Sequence, residues 1–262
     1  MKPSDEAPVP SQLGSAPERR ARGVFVVIPA HEEEERIVRT IRAVPAEVSG
    51  IVVVDDASTD ATAERVGSLA EPRLELLRHE QNRGVGAAIA SGYLRALERG
   101  AQVLVVMAGD AQMDPADLPA LLDAIDQGAA YAKGNRFLHP DARLMPRHRR
   151  LGSWLLARLT RWLAGASFDD SQCGYTALSA AAARQLDLQT MWPRYGYPND
   201  LLIQLGRRGL DIVEVPVRPV YAGERSGLRP WHLLTIVGVI LRRWRLELER
   251  ERLAPRLTAP HS

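Results

Sequence analysis

The chain has 262 residues, 34 Lys+Arg against 32 Asp+Glu for a net charge of +2, and 45% hydrophobic residues. That length and composition supply a full core and exclude a disordered chain, a histone-like protein and a uniformly acidic one. A single cysteine, Cys173, excludes an internal disulfide framework and a Cys-based zinc site, and suits a reducing, cytosolic compartment.

Residues 1–22 are rich in Pro, Ser, Ala and Glu and lack an apolar stretch, so they read as a disordered tail and not as a signal peptide. Residues 24–28 form a continuous β-branched run closed by Pro29, the pattern of a buried strand. A helix is expected over 32–44, from the spacing of Ile37, Val38 and Ile41 and the acids at its start. Residues 51–54 read as a second strand ended by Asp55 and Asp56, with Ser58 to Asp60 capping a helix over 61–69. A strand over 74–77 leads to the glycine turn 82–86 and a helix over 87–99. A strand over 103–107 ends at Gly109-Asp110, a helix covers 115–125, and a short strand covers 130–133.

Apolar strands alternating with helices imply an α/β fold with a parallel sheet covered on both faces. Ligands of such sheets bind beyond the carboxyl ends of the strands. Three of those ends carry polar clusters: Pro29-Ala30-His31, Asp55-Asp56 and Gly109-Asp110. No G-x-G-x-x-G follows the first strand, and neither a P-loop nor a G-x-S-x-G elbow occurs, which argues against dinucleotide enzymes, P-loop nucleotidases and the common hydrolases. One or two carboxylates suffice for a hard cation that also binds a diphosphate, and Asp110 with Gln112 fits that use. Asp56 is placed to accept from a nucleobase N–H. A helix cap at 56–60 and a plain turn at 109–110 are the alternatives for these residues taken singly.

Seven stretches then stand in order: VVIPAHEEEERI (26–37), VVVDDASTDAT (52–62), NRGVGAA (82–88), VVMAGDAQMDP (105–115), KGNRF (133–137), DSQCGYTALS (170–179) and YGYPNDLLIQL (195–205). Together they resemble the family 2 inverting glycosyltransferases of GT-A fold, within them the branch of dolichyl-phosphate mannose synthase and bacterial polyprenyl-phosphate glycosyltransferases. The resemblance implies a Rossmann-like, mostly parallel sheet with helices on both faces, spanning 23–228. Its nucleotide-binding half would be 23–142 and its acceptor half 143–228, followed by a C-terminal interfacial amphipathic helix and tail over 229–262.

By position, Pro29, His31, Glu33, Val54 and Asp56 would cradle base and ribose, with Ala108, Gly109, Asp110 and Arg136 as further donor contacts. Asp110 and Gln112 would hold Mg2+ or Mn2+, and Asp110 and Asp200 are the catalytic candidates. The family has an acid where this chain has Ala108, and usually Tyr-Asn where it has His31-Glu32. Asp200 stands where many relatives carry an acceptor-activating carboxylate. In a segment expected to close over the diphosphate, the family's lysine position is Gly227, and Arg225 or Arg229 is expected to substitute.

Residues 143–161 hold six arginines and no acid, along with an apolar stripe of Leu151, Trp154, Leu155, Leu159, Trp162 and Leu163. Trp with Arg on one amphipathic helix suits a membrane interface, and a core-facing helix with a basic edge is the alternative. Arg149 and Ser153 match an Arg and Ser that hold the acceptor phosphate in the family. Residues 231–241 are apolar and run into Arg242, Arg243 and Arg245, a helix expected to lie on a bilayer or pack on the domain.

The expected activity is transfer of a hexose from a nucleotide diphosphate sugar to a polyprenyl phosphate, at the cytosolic face of the membrane by peripheral contact. Transfer to a soluble or non-polyprenyl hydroxyl acceptor is the first alternative, and a non-catalytic sugar-nucleotide-binding relative is the second. Nucleic acid is not an expected partner, because no reading module accompanies the basic segments. The near-neutral total hides opposite halves: 23–142 has 11 basic and 19 acidic residues, net −8, and 143–262 has 19 and 10, net +9.

Overall fold

The computed structural model describes residues 23–144, 147–219 and 230–257. In chain order the elements are β1 (Val24–Ala30), α1 (Ile37–Ala43), β2 (Gly50–Asp55), α2 (Thr62–Gly67), β3 (Leu74–Arg78), α3 (Val85–Glu98), β4 (Val103–Val106) and α4 (Leu118–Asp126). There follow β5 (Tyr131–Asn135), α5 (Arg147–Ala164), β6 (Thr176–Ser179), α6 (Ala180–Ala183), α7 (Tyr197–Arg207), β7 (Ile212–Pro216) and α8 (Pro230–Leu257).

The strands form one seven-stranded sheet in the order β3-β2-β1-β4-β6-β5-β7. β1, β2, β3 and β4 run parallel, as do β5 and β7, but β6 is antiparallel to both its neighbours. The expectation of a parallel sheet therefore holds except at β6, a four-residue strand whose sequence, Thr-Ala-Leu-Ser, carries little strand signal. Its reversal has a consequence for the site. Thr176, at its start, pairs with both Val106 and Lys133, so the loop entering β6 lies beside the segments leaving β4 and β5.

Alternation along β1 divides the core. Val24, Val26 and Ile28 face α1, α2 and α4, through Ile37, Ile41, Val66 and Leu121. Phe25 and Val27 face the other layer, with Ile89 and Tyr93 of α3, Leu156 of α5, Leu202 of α7 and Ile240 of α8. Each Val or Ile side chain so buried contributes about 1.5–3 kcal/mol.

Two helices differ from expectation. α1 starts at Ile37 and not at residue 32, because Glu32 adopts a left-handed backbone (φ 57°) and residues 31–36 form a loop. The stripe on α5 does not all face inward. Leu156, Ala157, Thr160 and Leu163 are buried, whereas Trp154, Leu155 and Trp162 are 54%, 58% and 76% exposed. α8 packs on the domain through Ile236, Val239, Ile240, Arg243 and Glu247, leaving Leu234 and Leu241 exposed. No described helix is long and apolar enough to cross a membrane.

Candidate active site at the strand ends

The loops leaving β1 and β2 are laced together. The Glu32 N–H donates to Ser58 Oγ (3.0 Å), that of Glu33 to Thr62 Oγ1 (2.9 Å) and that of Glu34 to the Asp60 carboxylate (3.1 Å). In return the Glu32 carboxylate accepts from the Thr59 N–H (2.7 Å) and hydroxyl (3.0 Å), and that of Glu34 from the Ala61 N–H (3.1 Å). Ser58 and Thr59 thus bind across to the neighbouring loop instead of capping α2, and of the expected cap only Asp60 serves that end, accepting from the Thr62 N–H (2.9 Å). Within the Glu run, the Glu32 and Glu34 carboxylates act as loop ties, not as the first turn of a helix.

Glu32, Ala57 and Ala111, in the loops after β1, β2 and β4, are the only non-glycine residues of positive φ among those described. Left-handed backbone costs a side-chain-bearing residue about 1–2 kcal/mol. Three such positions meeting at one end of a sheet are characteristic of a site whose geometry is imposed by its surroundings.

Asp55 is fully buried, accepting from the Ser58 N–H (3.2 Å) and from Arg78 Nε (3.1 Å). Asp56, the expected base-binding residue, accepts from the Arg83 N–H (2.9 Å) and the Gly84 N–H (2.6 Å), and its Oδ1 lies 2.6 Å from His79 Nδ1. A carboxylate has about four acceptor positions, so one remains for a ligand. Burial pushes the Asp56 carboxyl up, but the hydrogen bonds from His79, Arg83 and Gly84 outweigh it and hold it below the usual range. His79 in turn reaches Ser91 Oγ of α3 through Nε2 (3.0 Å). Beside this group an open cleft of about 430 Å³ is lined by Ala57, Ser58, Thr59, Arg78, His79 and Glu80. Sequence reasoning missed His79; its position one residue past β3 was the available signal.

Of the other expected donor residues, His31 is exposed and Glu33 pairs with Arg36 (3.0 Å). Pro29 offers its carbonyl to the Gly109 N–H (3.3 Å). The Val54 side chain lies wholly within the core and can present no side-chain surface to a nucleotide.

The turn after β4 is fixed from two sides: the Gly109 N–H bonds Pro29, and the Gly109 carbonyl accepts from Thr40 Oγ1 (3.0 Å). A side chain at 109 would crowd the Pro29 carbonyl, and glycine allows the close approach. Asp110 Oδ1 accepts the Gln112 N–H (3.1 Å), which shapes the turn around the expected metal ligands. Ala108 adds no donor there, and no group of three or more His, Cys, Asp or Glu able to hold an ion occurs among the described residues. This donor set fits a cation shared with a diphosphate, where one protein carboxylate is enough, and does not fit an all-protein cage.

Arg136, the remaining expected donor contact, forms a two-pronged pair with the buried Asp170 (2.7 and 2.9 Å). Burial raises the Asp170 carboxyl, but the Arg136 charge and hydrogen bonds bring it below the usual range. Lys133 is wholly buried, donates to the Cys173 carbonyl (2.7 Å), and has its pKa lowered by burial. Ser153 faces inward on α5, buried. The Arg149 side chain and all of Arg225 lie outside the described residues. Asp200 stands apart from the strand-end group: fully buried, it accepts from Arg243 Nε (2.8 Å) on one oxygen and from the Trp192 N–H (3.1 Å) on the other.

The chain is 34% identical over 203 residues to undecaprenyl-phosphate mannosyltransferase of Micrococcus luteus, covering 74% of this chain and 82% of that protein. It is 32% identical over 207 residues to polyprenol monophosphomannose synthase of Mycolicibacterium smegmatis, covering 76% and 78%. Among solved structures, glucosyl-3-phosphoglycerate synthase of Mycobacterium tuberculosis, in complex with Mn2+, uridine diphosphate and glucosyl-3-phosphoglycerate, shares the fold at a TM-score of 0.66. The sequence identity there is 23%, over 91% of this chain and 86% of the other. The glycosyl transferase family 2 domain matches residues 25–180, from β1 through β6 and so across every strand-end loop described above, and the chain belongs to that family.

Proposed function

We propose that this family 2 glycosyltransferase moves a hexose from a nucleotide diphosphate sugar to a polyprenyl phosphate, with inversion, at the cytosolic membrane face. The observation that carries the reading is the burial of Asp200. The Asp200 side chain has no exposed surface, and Arg243 and Trp192 cover its two oxygens, so it is shut off from an acceptor. A hydroxyl acceptor requires a base. A phosphate monoester, with a second pKa near about 6, is already a nucleophile at neutral pH. The names of the Micrococcus and Mycolicibacterium relatives support the same acceptor class.

In this reading the cleft beside Asp56 takes the base, and the carboxylate's remaining acceptor position receives a base N–H. The turn 108–112 faces the diphosphate. Asp110, with Gln112 beside it, would hold a divalent cation, whose contribution would be to neutralise negative charge on the nucleoside diphosphate leaving group. An acceptor phosphate oxygen attacks the anomeric carbon from the face opposite the leaving group, so the configuration inverts. Catalysis then rests on positioning and charge neutralisation.

The exposed Trp154, Leu155 and Trp162 and the Arg158 guanidinium, 5.8 Å from the Trp154 ring centroid, would rest on the bilayer. The same helix carries Arg149 and Ser153 for the acceptor phosphate.

The test is a donor panel of GDP-mannose, UDP-glucose and UDP-GlcNAc, radiolabelled in the sugar, with a short-chain polyprenyl phosphate and Mg2+ or Mn2+. Label extracted into organic solvent with one donor, and lost with EDTA, supports the proposal. No organic-phase label with any donor overturns it.

A further inference from the structure

The elements around Asp200 join parts of the molecule that lie far apart in sequence. Arg243 of α8 donates to Asp200 through Nε and, through its terminal nitrogen, to the Thr190 carbonyl (2.7 Å) and hydroxyl (3.1 Å). Asp200 holds the Trp192 N–H, and Arg242 lies 5.8 Å from the Trp192 ring centroid. The segment so gathered presses on the glycine turn of the donor half. The Pro193 carbonyl accepts the Ala87 N–H (3.1 Å). A side chain at Gly84 would collide with Pro193 and Arg194, and one at Gly86 with Trp192 and Tyr197. The far side of that turn is held by Asp56 through the Arg83 and Gly84 N–H groups.

We infer that Asp200 and Arg243 are positioning residues which clamp the 190–196 segment onto the glycine turn, so that the C-terminal helix sets the geometry of the nucleotide site. The pair touches neither substrate nor the reacting atoms. It acts by fixing the outer wall of the turn whose inner wall is Asp56. This rests on the donor-site assignment made above but not on the identity of the acceptor.

Hydrogen–deuterium exchange on the full chain tests it, using Asp200→Asn, Arg243→Met, Arg243→Lys and the double variant D200N/R243M. Each single variant breaks the buried pair, leaving Asp200 without its guanidinium or Arg243 with only its longer contact to Glu247 (3.6 Å), which is destabilising, whereas the double variant removes both charges and leaves Glu247 its pair with Arg208 (3.0 Å). The double variant is therefore expected to regain most of the melting temperature lost by either single change. It should nevertheless exchange roughly fivefold or more faster than wild type at 82–88, the low end of coupling between linked sites, because Thr190 and Trp192 are no longer gathered. Arg243→Lys should fall between, since an ammonium cannot reproduce the fork that spans Asp200 and Thr190. Wild-type exchange at 82–88 in the double variant, with any change confined to α7 and α8, would overturn the inference.

A second readout separates positioning from base catalysis. In the transferase assay Asp200→Asn should raise the donor KM, leave the acceptor KM unchanged and keep the wild-type shape of the pH–rate profile. Loss of an ionisation from that profile would instead make Asp200 the base. If no acceptor is turned over, the exchange result still stands, so failure of the proposed reaction and failure of the clamp are told apart.

Discussion

The two halves of the molecule satisfy their polar groups in opposite ways. In the donor half the strand-end loops bind one another: Glu32 and Glu34 lock onto 58–62, and Asp56 onto His79 and the glycine turn. The acceptor half is instead tied to its neighbours by buried ion pairs, Asp170 to Arg136 of the donor half and Asp200 to Arg243 of α8, and its α5 presents tryptophans to solvent. The first pattern ties neighbouring loops together at one end of the sheet. The second assembles a surface from pieces distant in sequence, and leaves part of it apolar.

The largest expected effect is in the donor half. Asp110→Asn should lower kcat by at least about 100-fold, since stabilising charge on the leaving group through a cation contributes several kcal/mol. Steady-state rates with and without EDTA check this, and an undiminished rate would remove Asp110 from the site.

Next comes the acceptor half. Asp170→Asn leaves Arg136 without its buried partner and should destabilise by about 3–5 kcal/mol in denaturant unfolding. The same contrast has a pH signature. Asp56 and Asp170 both have native pKa values held below the ordinary one. A depressed native pKa adds stability above the unfolded value, about 3.9 for Asp, and that stability is lost as pH falls through the native pKa. Acid unfolding should therefore begin at higher pH in Asp170→Asn, which starts from lower stability. Superimposable acid transitions would argue that the pair contributes nothing.

Smaller effects sharpen the difference in surface. Trp154→Ser with Trp162→Ser should weaken partition onto anionic vesicles by about tenfold or more, given roughly 25 cal/mol per Å² of apolar area, and leave the unfolding free energy within about 0.5 kcal/mol. Co-sedimentation equal to wild type would place the membrane contact elsewhere. The smallest change is Ala57→Gly, which relieves a left-handed alanine and should stabilise by under about 1 kcal/mol, the strain relief being offset by the greater freedom of glycine when unfolded.

The two halves also differ in how legible they are. β1, β2 and β4 stand out because each is an unbroken apolar run buried on both faces. Asp55, Asp56 and Asp110 follow directly from where those runs stop. The start of α1 does not, because nothing local shows that Glu32 and Glu34 bond to residues some 26 positions away. On α5, helical spacing groups Trp154, Leu155 and Trp162 without revealing that their side faces out. The state of Asp200 depends on Arg243, 43 residues later and on another helix, and no spacing rule connects them.

The proposed acceptor is a phosphate needing no base. The most direct measurement is sugar transfer to a polyprenyl monophosphate compared with the corresponding polyprenol, under one donor and metal condition. The account predicts product with the monophosphate alone, at a rate that rises with pH through the acceptor's second pKa near about 6 and then levels off. Transfer to the polyprenol or another hydroxyl acceptor, with none to the monophosphate, would contradict it.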